Sequence, residues 1–321
     1  MRTAKSSELR VESKTARAVV FAYHNVGVRC LKVLLAHGVN VALVVTHQDN
    51  PNETIWFESV AATAAEYGIP VVTPDDPNTQ EFIARIEDLQ PDFLFSFYYR
   101  LMLKPALLAV SPRGAYNMHG SLLPKYRGRV PVNWAIIQGE HETGATLHRM
   151  VEKPDAGEIV IRQAVPILPN DTAGEVFNKV TLAAEIALDK VLPQLIAGTA
   201  PHVMPDIKTG SYFGGRKPED GCIDWTRPAT EIHNLIRAVA PPYPGAFFDM
   251  QGHRLVITHS LGMPGYTEEA GKPLLKREQD HLLARCGDGG LVRILSLTLD
   301  GEAIDPGSLT DRLGANPILL T

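Results

Sequence analysis

The segment 117–128 contains two side chains suited to proton transfer and charge stabilisation, the amide of Asn117 and the imidazole of His119. If this segment is extended, side chains two residues apart lie on the same face, so both groups would point into one space. A Ser-Leu-Leu-Pro turn and a Lys-Tyr-Arg-Gly loop follow directly. We therefore expect a strand that ends in a loop carrying chemistry.

A third group, the carboxylate of Asp155, lies in a Lys-Pro-Asp-Ala-Gly turn further along the chain. An amide can hydrogen-bond an oxyanion, and a histidine can carry a proton between a nucleophile and a leaving group. A nearby carboxylate would favour the imidazolium and orient the ring. Because this trio has no nucleophile of its own, it suits one-step acyl transfer. Ser121 is an alternative nucleophile, but no Gly-x-Ser-x-Gly elbow surrounds it. An Asn two residues before a His is also common by chance, so the trio alone is not specific.

The elements that must hold these residues follow from the apolar pattern. Up to residue 119, short apolar runs alternate with helical patterns, and the runs lie at 18–23, 39–46, 70–72, 92–97 and 115–119. Strands that are apolar on both faces and alternate with helices favour a doubly wound α/β domain with a parallel sheet. Ligands bind beyond the carboxyl ends of such strands, where the 98–103 loop and the Asn117/His119 strand end would lie.

The pattern changes after residue 130. Residues 145–151 alternate as a strand with Thr146, His148 and Met150 on one side, and residues 172–196 form a long helical pattern. From residue 221 onward, short strand patterns and Gly-rich turns favour a small OB-like barrel or open sheet. We therefore predict a disordered tail over residues 1–15, a Rossmann-like catalytic domain over 16–205 and a β-rich domain over 206–321.

Composition narrows the class of protein. The 321 residues have a formal net charge of −5 and are 45% hydrophobic, which is typical of a globular protein and argues against nucleic-acid binding. Three isolated cysteines favour a reducing compartment without a disulfide framework. No apolar run is long enough to span a membrane and residues 1–15 lack a signal-peptide core, so we expect a cytoplasmic protein without membrane insertion. The histidines show no metal-ligand spacing, and we assign no metal.

Residues 117–124 and the turn Asp155-Ala156-Gly157 together resemble the signature of the 10-formyltetrahydrofolate-dependent formyltransferases. The resemblance implies that Asn117 stabilises the transition state, that His119 carries the proton and that Asp155 supports the imidazolium. It also implies 10-formyltetrahydrofolate as the co-substrate. The residues that would contact this donor are Leu101, Met102, Leu103, Arg129, Val151, Glu152, Lys153, Pro154 and Asp155.

Further runs resemble the branch of that family that formylates UDP-4-amino-4-deoxy-L-arabinose for lipid A modification and polymyxin resistance. The resemblance covers about residues 17–260 and includes the runs 21–24, 95–100, 119–129, 146–151 and 234–239. It implies that the acceptor is the 4-amine of that UDP-sugar. The branch continues into a dinucleotide-binding decarboxylase, so we expect that second activity to be absent here or supplied by another polypeptide.

Three other functions are compatible with some of these residues. The trio would also serve methionyl-tRNA formylation, although the acidic net charge and the lack of a Lys- and Arg-rich insertion near residues 46–57 argue against a tRNA acceptor. Another nucleotide-linked amino sugar would fit the trio equally well. A non-catalytic folate- or nucleotide-binding module is disfavoured, because binding alone does not require Asn, His and Asp together.

The nucleotide diphosphate of an acceptor would need cationic partners, because charge-assisted hydrogen bonds favour phosphate. The candidates are Arg216, Lys217 and Arg237, with Tyr243 as a candidate to stack on the base. Four histidines are interpreted as core or surface residues rather than as part of the site: His24, His47, His148 and His233. The sequence is compatible with a monomer or a weak dimer.

Overall fold

The computed structural model describes residues 15–51 and 53–320, so the predicted disordered tail lies, apart from Thr15, outside the described residues. The helices and strands follow one another as β1 (Arg17–Ala22), α1 (His24–Ala36), β2 (Asn40–Val45), α2 (Val60–Glu66), β3 (Val71–Val72), α3 (Gln80–Asp88), β4 (Phe93–Phe97), α4 (Pro105–Leu108), β5 (Ala115–His119), β6 (Arg127–Gly128), α5 (Pro131–Ile137), β7 (Glu142–Arg149), β8 (Ile159–Pro166), α6 (Ala173–Ala197), β9 (Tyr212–Phe213), α7 (Ala229–Ala238), β10 (Ala246–Met250), β11 (His253–Thr267), β12 (Leu274–Glu278), β13 (His281–Arg285), β14 (Gly290–Leu299), β15 (Glu302–Ile304), α8 (Leu309–Arg312) and β16 (Ile318–Leu319).

The first sheet has the strand order β3-β2-β1-β4-β5-β7-β8. Its first five strands are mutually parallel, β7 pairs antiparallel with β5, and β8 pairs antiparallel with β7. The order runs outward from β1 in both directions, which confirms the predicted doubly wound domain and opens a crevice at the carboxyl ends of β1 and β4.

Both faces of this sheet are covered, which explains why its strands are continuously apolar. On β1, the side chains of Ala18, Val20 and Ala22 join the core formed with α1 and α6. The intervening Val19 and Phe21 join the opposite core, with α3 and α4. Burial on both faces fixes the positions of the strand ends, from which the candidate site is built.

The C-terminal part of the chain forms a second, antiparallel sheet with the order β10-β11-β14-β13-β12-β16, and β15 pairs with β14. Its own hydrophobic core begins at Ile223 and includes the buried face of α7, which confirms the predicted β-rich domain. Between the two cores, β9 pairs in parallel with β6, so the chain just beyond residue 205 still packs on the first domain. None of the helices in the described residues is long and apolar enough to cross a membrane.

Helix α7 joins the two domains through two buried polar side chains. The guanidinium of Arg237 donates to Asn234 Oδ1 and to the carbonyls of Leu168 and Asp171, just before α6. His233 accepts from the Ser260 hydroxyl at 2.8 Å through Nδ1 and donates to the Pro169 carbonyl at 3.1 Å through Nε2. Arg237, predicted as a candidate for phosphate binding, thus uses its donors for protein carbonyls at the domain junction.

Acidification from pH 7 to pH 5 is expected to destabilise the fold, in part through His233. Burial lowers the pKa of His233 to about 4, so between pH 6.5 and 4 the unfolded chain binds a proton that the folded chain does not. The stability contributed by the neutral imidazole is fully present above pH 6.5 and falls by about 2 kcal/mol at pH 5. His233→Gln retains a donor and an acceptor and should lose that share of the pH dependence in urea unfolding. If the free energy of unfolding fell equally in the variant and the wild type between pH 7 and pH 5, the assignment of this pH dependence to His233 would be wrong.

Candidate active site

Strand β5 carries Asn117 and His119 at the carboxyl edge of the parallel sheet. The register places Asn117 opposite His148 of β7 and His119 opposite Thr146. Asn117 is half-buried and His119 is 6% exposed. Because the two residues are separated by one position in a strand, their side chains face the same space.

The hydrogen bonds of His119 determine which ring nitrogen is available for chemistry. Nε2 lies 2.8 Å from the carbonyl oxygen of Tyr126, which can only accept, so Nε2 carries a hydrogen. Nδ1 lies 3.6 Å from Asp155 Oδ1 and makes no hydrogen bond within the described part of the chain. In the neutral imidazole, Nδ1 therefore has a free lone pair that can take up a proton beside a carboxylate.

The turn between β7 and β8 delivers Asp155 to this space. Its backbone adopts a φ of +51°, and the carboxylate is 12% exposed and accepts the Gly128 N–H at 2.9 Å. Burial alone would raise the pKa of the Asp155 carboxyl, but the positive charge that His119 and His148 carry when protonated and the Gly128 N–H outweigh burial and hold that pKa well below its usual range. The carboxylate is therefore ionised throughout the neutral range.

The structure adds a fourth residue, His148, which the sequence interpretation had assigned to the core or the surface. Nδ1 donates to the Arg149 carbonyl at 3.0 Å, and Nε2 lies 3.2 Å from Asn117 Nδ2 and 3.5 Å from Asp155 Oδ1. When His148 is neutral, Nε2 accepts a hydrogen from Asn117, so the nitrogen end of the amide points toward His148. The second N–H of that amide remains free to donate to a substrate oxygen.

Backbone strain accumulates around the same space. Tyr126, Val130 and Asp155 all have φ values between +47° and +56°, and Val130 is β-branched. A non-glycine residue in this region costs about 1–2 kcal/mol, which the surrounding contacts must offset. Arg127 and Arg129 lie between the strained Tyr126 and Val130, and their backbone N–H groups donate at 3.0 Å to the carbonyls of residues 211 and 213.

The Ser-Leu-Leu-Pro turn is fixed by Thr146 of β7. The Thr146 hydroxyl donates to the Ser121 carbonyl at 2.6 Å and accepts the Leu123 N–H at 3.2 Å. The Ser121 hydroxyl is fully buried and donates to the Lys125 carbonyl at 2.7 Å. Ser121 therefore has a structural role within the turn, which supports a site without a serine nucleophile.

The residues predicted to contact a folate donor lie on three segments. After β4, Leu101 and Met102 are 39% and 59% exposed, whereas Leu103 is buried. In the β7–β8 turn, Val151, Glu152 and Lys153 are exposed and Pro154 is half-buried. Arg129 is exposed, and within the described residues its guanidinium has no hydrogen-bond or ion-pair partner.

Arg216 and Tyr243 lie together near α5. The Arg216 guanidinium lies 5.6 Å from the Trp134 ring centroid, and Nη2 donates to the Asp220 carbonyl at 2.7 Å. Burial lowers the pKa of Arg216, with Asp220 and Tyr243 acting in the opposite direction. Nη1 is buried and has no partner among the described residues, and such an unpaired donor favours an anionic ligand. Lys217 is exposed beside it.

The other histidines lie in packed surroundings. His24 stacks on Phe57 with ring centroids 4.0 Å apart, and burial lowers its pKa to about 3. His47 stacks on Tyr99 at 4.1 Å and accepts the Arg100 N–H at 3.0 Å. Within residues 15–51 and 53–320, no three His, Cys, Asp or Glu side chains are grouped so as to hold a metal ion.

A doubly wound sheet with an amide, an imidazole and a buried carboxylate at its carboxyl edge fits an enzyme that moves an acyl group between two bound substrates. The family model described as formyl transferase matches residues 22–192, and the model described as formyl transferase, C-terminal domain, matches residues 216–310. The chain belongs to the formyl transferase family, and its activity is that of a formyltransferase.

Solved structures share the fold. An N-formyltransferase from Helicobacter canadensis, in complex with folinic acid and dTDP-3-aminofucose, superimposes with a TM-score of 0.71 and 22% identity over 88% of this chain and 99% of that chain. A sugar 3N-formyl transferase with dTDP and 5-N-formyl-THF has a TM-score of 0.66 and 22% identity, over 88% and 97% of the two chains. A 4-N formyltransferase from Francisella tularensis has a TM-score of 0.59 and 21% identity, over 74% and 95%. At these identities the likeness establishes the fold.

Gly120, which follows His119, permits a close approach of Tyr98 to the strand end. A methyl group at Gly120 would collide with the Tyr98 hydroxyl, and its next neighbours would be the Tyr98 ring at 3.1 Å and Pro131 at 3.5 Å. That hydroxyl is buried and has no partner within the described residues.

We therefore expect Gly120→Ala to destabilise the protein by about 1–3 kcal/mol through overpacking. Tyr98→Phe removes the colliding oxygen without breaking a hydrogen bond, so the double variant should regain most of the loss. A double-mutant cycle measured by urea unfolding checks the coupling. Additive effects of the two substitutions would show that this contact is not the cause.

Proposed function

We propose that the protein transfers a formyl group from 10-formyltetrahydrofolate to the 4-amine of UDP-4-amino-4-deoxy-L-arabinose, the step used in lipid A modification and polymyxin resistance. The observation that carries the proposal is the grouping of Asn117, His119 and Asp155 in a chain of the formyl transferase family. We place the reaction in the cytoplasm, because the three cysteines are free thiols.

The donor assignment is supported by the fold and by the surface beside the trio. Two structures of the same fold contain folinic acid or 5-N-formyl-THF. In this chain, exposed apolar side chains at Leu101 and Met102 and the unpaired guanidinium of Arg129 offer contacts to a heterocycle and to an anionic group. We propose these residues, together with the 151–155 turn, as the donor site.

The proposed chemistry is a single acyl transfer. The neutral amine nitrogen attacks the formyl carbon, and the carbonyl electron pair moves to oxygen, where the free N–H of Asn117 stabilises the charge. His119 Nδ1 takes the proton that the amine loses, and Asp155 stabilises the resulting imidazolium. The intermediate collapses, the bond from the formyl carbon to donor N10 breaks, and N10 receives the proton from His119. The proton lost by the amine thus appears on the released tetrahydrofolate.

A nucleotide-sugar acceptor is supported by the cationic side chain of Arg216 near α5. Arg216 offers a buried, unpaired N–H next to Trp134 and Tyr243, a combination suited to phosphate beside an aromatic surface. The solved structure from Helicobacter canadensis holds dTDP-3-aminofucose. The choice of uridine and 4-aminoarabinose rests on the sequence resemblance of residues 119–129 and 146–151.

Methionyl-tRNA formylation and another nucleotide-linked amino sugar are the alternatives. From residue 206 onward the chain carries 12 Lys and Arg residues and 15 Asp and Glu residues, a formal charge of −3. An acidic C-terminal domain offers little electrostatic attraction for a polyanion. We therefore rank an amino sugar carried on a nucleotide above tRNA.

The proposal is tested with a panel of acceptors in the presence of 10-formyltetrahydrofolate, following release of tetrahydrofolate. The panel contains UDP-4-amino-4-deoxy-L-arabinose, dTDP-linked 3-amino and 4-amino sugars, and initiator methionyl-tRNA. We expect the highest kcat/KM with the UDP-sugar. A dTDP-sugar that reacts faster would replace the proposed acceptor, and salt-sensitive formylation of the tRNA would overturn the nucleotide-sugar class.

The matched controls are Asn117→Ala and His119→Ala. Each should abolish turnover of the preferred acceptor while the folded state is retained, because one loses the oxyanion donor and the other the proton carrier. Near-normal activity in either folded variant would contradict its assigned role. Circular dichroism and urea unfolding establish that each variant is folded.

A further inference from the structure

The loop after β4 combines exposed apolar side chains with unpaired backbone groups. Leu101 and Met102 are exposed, while the Leu103 side chain is buried in the core shared with α3 and α4. Within the described residues, the N–H groups of Met102 and Leu103 donate to no acceptor in the protein. This loop follows Phe97, which pairs with Met118, so it starts beside the strand that carries Asn117 and His119.

One side chain from another segment holds the far end of this loop. Asn78 Oδ1 accepts the Lys104 N–H at 2.7 Å, and Nδ2 donates to the Met102 carbonyl at 2.9 Å. Nδ2 also donates to Asp76 Oδ1 at 3.0 Å, and the same oxygen accepts the Asn78 backbone N–H at 2.9 Å. Both Nδ2 hydrogens and Oδ1 are therefore engaged, and only one orientation of the amide satisfies these partners.

The near end of the loop is held at Arg100. Its backbone N–H donates to His47 Nε2 at 3.0 Å, and its guanidinium makes two bonds of 2.9 Å to the Glu53 carboxylate. The hydrogen bonds at residues 100 and 104 fix the backbone of residues 101–103, which lie between them. The free N–H groups of Met102 and Leu103 are therefore held in fixed positions. Pre-organisation of this kind lowers the entropic cost of binding a ligand.

We propose that Asn78 is a positioning residue for the formyl donor. By fixing the Met102 carbonyl and the Lys104 N–H, it holds the N–H groups of Met102 and Leu103 in place for the polar edge of the donor's heterocycle. This inference rests on the proposed function. Since Asp76, Met102 and Lys104 engage both the donors and the acceptor of the Asn78 side chain, its substitution acts on donor affinity through the loop rather than on the transfer step.

The test is Asn78→Ala, with folinic acid as the unreactive probe in calorimetry and 10-formyltetrahydrofolate in kinetics. Losing two hydrogen bonds that order the loop should weaken folinic acid binding and raise the donor KM about tenfold. The kcat at saturating donor and the KM of the amine should stay within about twofold of wild type, since neither depends on this loop. Asn78→Asp keeps an acceptor for the Lys104 N–H but places a carboxylate oxygen against the Met102 carbonyl oxygen, and the two repel each other. It should therefore weaken folinic acid binding at least as much as Asn78→Ala.

The control variant is Thr79→Ala, at the adjacent position. The Thr79 hydroxyl caps α3 by accepting the Phe82 N–H at 3.3 Å and has no bond to the loop. Its loss should lower stability by about 1 kcal/mol and leave donor affinity unchanged.

The possible results distinguish the positioning role of Asn78 from the proposed function on which it rests. If wild type binds folinic acid and Asn78→Ala binds it equally well, the inference is overturned and the proposed function stands. A fall in kcat without a change in donor KM, or an equal weakening in Thr79→Ala, overturns it as well. If wild type binds no folinic acid, the proposed function fails, and the positioning role fails with it.

Discussion

A buried carboxylate that lies between two imidazoles constrains the rest of the site. Asp155 Oδ1 lies 3.6 Å from His119 Nδ1 and 3.5 Å from His148 Nε2, while Oδ2 accepts the Gly128 N–H. A charge so little exposed needs such partners, because the Gly128 N–H donates to it and an imidazole that takes up a proton balances it. Three elements must therefore meet: β5 with His119, β7 with His148 and the strained β7–β8 turn with Asp155. The antiparallel pairing of β5 with β7, next to the five parallel strands, makes this meeting possible.

The trio also explains how two substrates would be arranged. In our proposal, the formyl donor lies against the loop after β4, the acceptor lies against Arg216 near α5, and the formyl group is transferred at Asn117 and His119. Such a site needs no nucleophile of its own, because the acceptor amine supplies it. The structural use of the Ser121 hydroxyl agrees with this, since its oxygen is held within the turn.

Much of this was predictable from the sequence because the signals are local. The five parallel strands follow from short apolar runs, and the shared face of Asn117 and His119 follows from their spacing in β5. The role of His148 was not predictable, because it depends on the register between β5 and β7, although the alternation of Thr146, His148 and Met150 did indicate which side it faces. Arg237 shows the converse. Its charge suggested a phosphate ligand, but only the tertiary structure shows that carbonyls before α6 use its donors.

The most direct measurement of the central claim is the turnover of Asp155→Asn. Asparagine keeps the shape, tolerates the positive φ and can still accept the Gly128 N–H, but it removes the charge that stabilises the imidazolium. We expect kcat at saturating substrates to fall at least about 100-fold, the range for loss of assisted proton transfer, while the variant stays folded in urea unfolding. A folded Asp155→Asn enzyme with kcat within about threefold of wild type would contradict a charge-supported proton carrier at His119.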